Sequence, residues 1–273
     1  MAADRELRLV ADVGGTNLRM GLVEIAAGKV QLLQVEVAAT PAGRELTEVL
    51  ASYWCRQGAP TIGSVAVCVA GPVDGTGLQA RARLTNTDLA VSAQGLAHVL
   101  GVPRVLLVND FAAIAAAAPQ LVGFDLELHG AQPPAPDAVT VVLGPGTGLG
   151  VAAWLPGGVI VAGEGGHARL APPDRAAVPI WNLLAEQYGF VAAEHVLCGP
   201  GLVTLYRAIA ELRGAAATVA KVADAAAVWE ACCAGHPLAR EAVWHFTSAL
   251  GAYAGDLALI FGAQGVLLSL IHI

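Results

Sequence analysis

The sequence predicts an α/β protein of two lobes, and two observations lead there. Apolar strands joined by hairpins and crossover helices fill the first half, whereas helical patterns dominate from about residue 178 onward. Three glycine-rich turns adjoin apolar strands, and polar residues gather at strand ends.

The elements follow in order. LRLVADV (7–13) alternates as a strand does. After a Gly-Gly turn, RMGLVEI and KVQLLQVEV flank Ala26-Ala27-Gly28, which reads as a hairpin with a short glycine-containing loop. Residues 43–57 have mixed helical character. GSVAVCVAGP (63–72) is a buried strand stopped by Gly71-Pro72. Residues 91–100 are expected helical, VPRVLLVND (102–110) a strand, and FAAIAAAA (111–118) a short helix closed by Pro119. GAQPPAPDA (130–138) resembles a linker. VTVVLGPGTGLGVAAWL then reads strand, glycine loop, strand, and GGVIVAGEGGH repeats the plan. Helices are expected in PIWNLLAEQYGF, AEHVL, GLVTLYRAIAELR, 218–234 and 237–261.

Composition bounds the function. With 273 residues, 56% hydrophobic and 14% charged, the chain can bury a sizeable core and is not a disordered one. A membrane-spanning helix needs roughly 18 or more apolar residues, and the nearest approach, Val105 to Phe124, is broken by Asn109, Asp110, Pro119 and Gln120. MAADRELRLV carries acids and no apolar core, so no secretory signal is expected and the expected compartment is the cytoplasm. A formal charge of −7 without a basic stretch argues against a nucleic-acid partner. An anionic ligand would need backbone N–H groups, a helix N-terminus or a metal ion. Cys55, Cys68, Cys198, Cys232 and Cys233 form no C-x-x-C pair, so no zinc or redox motif is encoded, and adjacent Cys232 and Cys233 read as buried small residues.

Three glycine motifs carry the chemistry. In Asp12-Val13-Gly14-Gly15-Thr16-Asn17, followed by Arg19, glycines let a backbone approach phosphate oxygens, Thr16 adds a hydroxyl, and Asp12 could hold Mg²⁺ through water. The same residues also suit a hairpin entry with a capping aspartate. Gly144-Pro145-Gly146-Thr147-Gly148-Leu149-Gly150 has more glycine than a turn needs, yet is neither a P-loop nor G-x-G-x-x-G. A loose loop is the plain alternative. Gly163-Glu164-Gly165-Gly166-His167-Ala168 formally fits a dinucleotide fingerprint, but Pro172 and Pro173 follow, so no long helix opens there. Glu164 and His167 read instead as polar groups aimed into a cleft, against the alternative of a structural histidine. Asn109-Asp110-Phe111 ends a strand, where α/β sheets gather ligands. Its aspartate suits a general base, and an Asn-Asp helix cap suits it equally.

Together DVGGTNLR, NDF, GPGTGLG, GEGGH and AEHVLCGPGLVTLYRAI, in this order and spacing over about residues 7 to 267, resemble bacterial ATP-dependent glucokinases of the sugar kinase, Hsp70 and actin superfamily. The resemblance implies a two-lobed actin-like ATPase (ribonuclease H-like) fold with mixed sheets and a central cleft. It implies a small lobe over 1–119 and a large lobe over 120–267. It implies phosphoryl transfer from ATP, with Mg²⁺, to the 6-hydroxyl of glucose. The alternatives are a kinase for another hexose or a non-catalytic sugar-binding relative. By the resemblance, Asp110 is the base. Asn86, Asn109, Glu164, His167 and Glu194 bind sugar hydroxyls, and Asp12, Gly14, Gly15, Thr16, Asn17, Gly144, Gly146, Thr147 and Gly148 hold the nucleotide, Asp12 through the metal. A homodimer and no membrane partner are implied too.

There are departures. Ala11 stands where the family often has glycine, and GPVDG (71–75) is a loose version of the substrate-side turn. The cysteine-rich signature of the neighbouring repressor and sugar kinase group is absent. After Gly265-Val266-Leu267 the family continues with a further glycine motif and a closing helix, so a C-terminally truncated large lobe is expected. LSLIHI (268–273) is expected to be a non-native tail, because one back-translation reads as a sequencing-adapter end.

Overall fold

The structure, a computed structural model, describes residues 6–40, 45–84, 89–121, 126–127, 129–130, 134–216 and 222–269. Its chain divides into two units, residues 1–113 and 114–273.

In the first unit, alternation builds the sheet. Strand β1 (Glu6–Val13) buries Leu9, Ala11 and Val13, and β4 (Ser64–Val69) buries Val65, Val67 and Val69, one face each. Strands β2 (Asn17–Ala26) and β3 (Lys29–Ala39) form the expected hairpin. Its two-residue turn has Ala27 at φ 50° and Gly28 at φ 74°, the left-handed pair that matches the twist of the flanking strands. With β8 (Val105–Asn109), the sheet order is β3-β2-β1-β4-β8. The pairings β1–β2 and β2–β3 are antiparallel, and β1–β4 and β4–β8 are parallel. The register sets Asp12 beside Cys68 and Cys68 beside Val108, with Val69 beside Asn109. Polar groups from β1 and β8 thus stand on either side of β4 at the carboxyl end of one parallel layer.

Helices α1 (Leu46–Arg56) and α2 (Ala93–Leu100) bury Leu46, Leu50, Tyr53 and Leu96 in the same core as Leu9 and Val67. Ser92 caps α2 by accepting the Gly95 N–H at 3.1 Å. A small antiparallel sheet, β5 (Val73–Asp74), β6 (Arg81–Arg83) and β7 (Ala90–Ser92), lies between β4 and α2 in the chain. Helix α3 (Asp110–Ala117) follows β8 directly.

The second unit holds the sheet β11-β10-β9-β12, from β9 (Thr140–Pro145), β10 (Leu149–Leu155), β11 (Val159–Gly163) and β12 (Gly265–Leu268). Strand β12 joins β9 in parallel, and the Ser269 N–H continues that ladder onto Leu143 O at 2.8 Å. Helices α4 (Val178–Tyr188), α5 (Gly199–Leu212), α6 (Ala225–Cys233) and α7 (Pro237–Phe261) share a core with these strands, including Val141, Leu143, Trp181, Leu205, Tyr206 and Tyr253. Helix α6 begins at Ala225, where Asp224 caps it by accepting the Ala227 N–H at 2.9 Å; the first residues of the expected 218–234 helix, 218–221, lie outside the described residues. Cys233 at its end is exposed and Cys232 partly buried, not the buried pair expected: the end of a helix cannot turn two successive side chains to one core.

Candidate active site

In the first unit the Asp12–Asn17 turn joins β1 to β2. The Gly14 N–H donates to Asn17 O at 2.9 Å, and Thr40, just past β3, donates from its hydroxyl to Gly14 O at 2.6 Å and from its N–H to Thr16 O at 2.9 Å. Gly15, Thr16 and Asn17 stay exposed on this pinned turn. Asp12 is the cross-strand partner of Arg19, whose Nη1 donates to its Oδ2 at 2.8 Å. Cys68 donates from Sγ to the other carboxylate oxygen at 3.6 Å. Burial first, then the charge of Asp12 and its hydrogen bond, then the charge of Asp110, push the Cys68 thiol up to about 12. It is therefore a proton donor at neutral pH.

Of the two sequence expectations for this pair, the structure shows the helix cap, and Asn109 supplies it. Asn109 Oδ1 accepts the Phe111 N–H at 2.9 Å and the Ala112 N–H at 3.2 Å, which caps α3. Its Nδ2 donates to Gly71 O at 3.2 Å, so the Gly71-Pro72 turn is braced against the end of β8. Asp110 is the first residue of α3, where the helix dipole favours an anion. The Phe111 N–H also reaches its Oδ1 at 2.9 Å. Asn86 lies outside the described residues.

In the second unit, Gly144–Gly150 is a tight β9–β10 hairpin. The Gly146 N–H donates to Gly148 O at 2.8 Å, and Gly146 O accepts the Gly199 N–H of α5 at 2.8 Å. Thr147 and Gly148 are exposed at the tip, while Gly144 is buried within β9 opposite Gly150. The reachable part of the motif is Gly146 to Gly148.

Glu164 precedes a 3-10 turn over Gly165–His167, and no long helix follows it. The turn is held by the Tyr253 hydroxyl of α7, which donates to Gly165 O at 2.7 Å. Burial, with the charge of Asp256 behind it, pushes that phenol up. His167 Nδ1 lies 3.3 Å from Glu194 Oε1, with the imidazole 67% exposed. A Cβ at Gly148 would come within 3.1 Å of Glu194 Oε2, and one at Gly166 within 3.2 Å. Two glycines therefore make room for one carboxylate. Glu194 itself rides on a short 3-10 turn, Ala193–His195. The structure thus brings together His167, Glu194 and the hairpin tip in this unit, and Asp12, Asn109 and Asp110 in the other.

Sequence reasoning passed over Arg19, Cys68, Cys198 and Tyr253. Arg19 had a signal, since it stands inside the quoted glycine motif. Cys68 had a weaker one, a polarisable residue on the face of β4 opposite Val67 and Val69. Tyr253 had none, because its partner is 88 residues away.

Comparison with known proteins gives concordant results. A glucokinase family model matches residues 9–269. A glucokinase of Chromobacterium violaceum is 37% identical over 262 residues, which span 94% of this chain and 72% of that protein. The crystal structure of a glucokinase from an Antarctic psychrotroph superposes with a TM-score of 0.83 at 28% identity, over 96% of this chain and 82% of that one. A ROK family glucokinase from Streptomyces griseus, solved with glucose and AMPPNP, superposes with a TM-score of 0.59 at 21% identity, over 96% and 82% of the two chains. It supports the actin-like ATPase fold.

Proposed function

The chain belongs to the glucokinase family, and on that premise we propose that it transfers the γ-phosphoryl group of ATP to the 6-hydroxyl of D-glucose, yielding glucose 6-phosphate and ADP. The observation that carries this reading is Asp110 at the junction of β8 and α3, at the carboxyl end of the parallel layer in which Asp12 is the penultimate residue of β1. Phosphoryl transfer asks the protein mainly for positioning, charge stabilisation and one group to take the nucleophile's proton.

In this reading Asp110 accepts the 6-hydroxyl proton as the oxygen attacks the γ-phosphorus. Asn109, with Oδ1 committed to the α3 cap and one Nδ2 hydrogen to Gly71 O, offers the sugar its second Nδ2 hydrogen. Glu194, His167 and Glu164 accept from or donate to the remaining hydroxyls, and Asn86 belongs to the same set. The exposed turn Gly14–Asn17 and the hairpin tip Gly146–Gly148 contact the nucleotide phosphates through backbone N–H groups and the two threonine hydroxyls. Mg²⁺, when bound with the nucleotide, neutralises phosphate charge. Among the described residues no group of three or more His, Cys, Asp or Glu side chains is placed to hold a metal. A single carboxylate, Asp12, 33% exposed, suits an ion held mostly by water and phosphate oxygens.

Selectivity among hexoses follows from unpaired groups. A buried partner left without its hydroxyl costs about 1–3 kcal/mol. The proposal extends to a cytoplasmic homodimer, in keeping with the resemblance; no described helix is long and apolar enough to cross a membrane. A coupled ADP-release assay with D-glucose, D-mannose, D-fructose and D-galactose tests the function. Highest kcat/KM with D-glucose is expected, and ADP release independent of any hexose would reject it.

A further inference from the structure

Cys198 occupies an unusual place. It is buried, 4% exposed, at the N-cap of α5, where its Sγ accepts the Gly201 N–H at 3.2 Å. The same sulfur donates its proton to the main-chain oxygen of Glu194 at 2.8 Å. Serine, threonine, aspartate and asparagine are the ordinary caps. A cap needs only an acceptor, yet this thiol also donates, and its acceptor is the backbone of the residue whose carboxylate meets His167.

The surroundings leave that short segment little freedom. A Cβ at Gly201 would come within 2.4 Å of Val196 O, so the first turn of α5 folds back onto the chain that leaves the Glu194 turn. Two residues before Gly201, the Gly199 N–H holds the hairpin tip through Gly146 O. On the far side, the His195 ring stacks on Tyr188 with centroids 4.3 Å apart, and its Nδ1 accepts the Ala192 N–H at 3.2 Å. The Glu194 turn is thus held at both ends, and Cys198 is the side chain that joins it to α5.

We infer that Cys198 is a positioning residue for sugar binding: its thiol ties the backbone of Glu194 to the first turn of α5 and so sets where the Glu194 carboxylate stands between Gly148 and Gly166. The inference rests on the proposed role of Glu194 toward the sugar. Burial, opposed in part by the Gly201 N–H, keeps the thiol above its ordinary range, and the Glu194 charge adds to this. The sulfur therefore carries the proton it donates at neutral pH. The hairpin tip has its own closure, Gly146 N–H to Gly148 O, so loss of the thiol falls on the sugar more than on the nucleotide.

The test compares Cys198→Ala, Cys198→Val and Cys198→Ser in the 273-residue chain, with Glu194→Gln as the reference. D-glucose and a non-hydrolysable ATP analogue are titrated calorimetrically, and amide exchange at Gly201 is followed. Alanine and valine should weaken glucose binding about tenfold, with a smaller change for the nucleotide, and serine should stay within about threefold of the parent. Exchange at Gly201 should quicken in the alanine and valine chains but not in the serine chain. Parental glucose affinity in the alanine and valine chains, while Glu194→Gln loses it, overturns the inference. So does a folded serine chain that fails to bind, which alone decides the matter if alanine and valine prevent folding. If Glu194→Gln binds glucose normally, the sugar role of Glu194 fails instead, and unchanged exchange at Gly201 would then reject the tie on its own.

Discussion

Arg19 and Asp12 are direct cross-strand partners on β2 and β1, and the guanidinium donates to the carboxylate at 2.8 Å while Cys68 on β4 holds the other oxygen. The carboxylate is thereby oriented from both neighbouring strands. The side chains are 50% and 33% exposed, so the pair itself contributes at most about 1 kcal/mol to stability. Arg19→Gln should therefore leave the urea midpoint nearly unchanged and raise the Mg²⁺ concentration needed for half-maximal turnover. A variant destabilised well beyond that, with unaltered Mg²⁺ dependence, would make Arg19 a structural residue only.

The Cys68 thiol predicts an alkaline effect. Its folded value of about 12 exceeds the ordinary 9.0 of the unfolded chain. Below pH 9 both states keep the proton and the contribution is intact. As pH rises from 9 toward 12 the unfolded thiol ionises first, and stability is lost. Urea unfolding at pH 8 and pH 11 should show a smaller loss in Cys68→Ala than in the parent. Equal losses in both chains would contradict the assignment.

Asp110→Asn should lower kcat by about 10²–10⁴-fold, the usual range for a lost general base, and leave the glucose dissociation constant within a few-fold. Asn109→Ala separates the neighbouring role. It removes the acceptor for two N–H groups of α3 and should cost about 0.5–2 kcal/mol in stability. Single-turnover rates and thermal melts, measured together, distinguish the two. An Asp110→Asn chain with near-parental kcat would eliminate Asp110 as the base.

Gly148 and Gly166 should respond differently to alanine. A Cβ at Gly166 would stand 2.5 Å from Leu149 O, a backbone atom that cannot yield, so Gly166→Ala should destabilise by about 1–3 kcal/mol. At Gly148 the close atom is the carboxylate tip of Glu194, at 3.1 Å. Gly148→Ala should melt near the parental temperature and bind glucose more weakly. Reversal of this order would contradict the packing.

Glu164→Gln and His167→Ala should weaken glucose binding more than binding of a non-hydrolysable ATP analogue, because the proposed function gives both side chains to the sugar and the phosphates to backbone groups of Gly146 to Gly148. Calorimetric titration of each chain with both ligands reads this directly. A loss confined to the nucleotide would reverse their assignment.

The sequence by itself determined the larger strands and helices, their order and the places where chemistry gathers, because these depend on local physics, but not the short strands β5 to β7. Alternation decides which residues of β1 and β4 turn inward, Ala27-Gly28 takes the left-handed turn that closes the β2–β3 hairpin, and Asn109 caps the helix that follows it. The five motifs in their order were enough to indicate the family. Tertiary structure alone decided what each polar group meets. Cys68 reaches Asp12 across 56 residues only because β4 lies parallel to β1 in one particular register. Gly144, inseparable from its motif in the sequence, is buried in a strand, while Gly146 to Gly148 form the tip. Glu194 finds its place between two glycines from separate turns, with Cys198 behind it. Strand order and register arise from burial summed over a whole sheet, and no short stretch of sequence carries that sum.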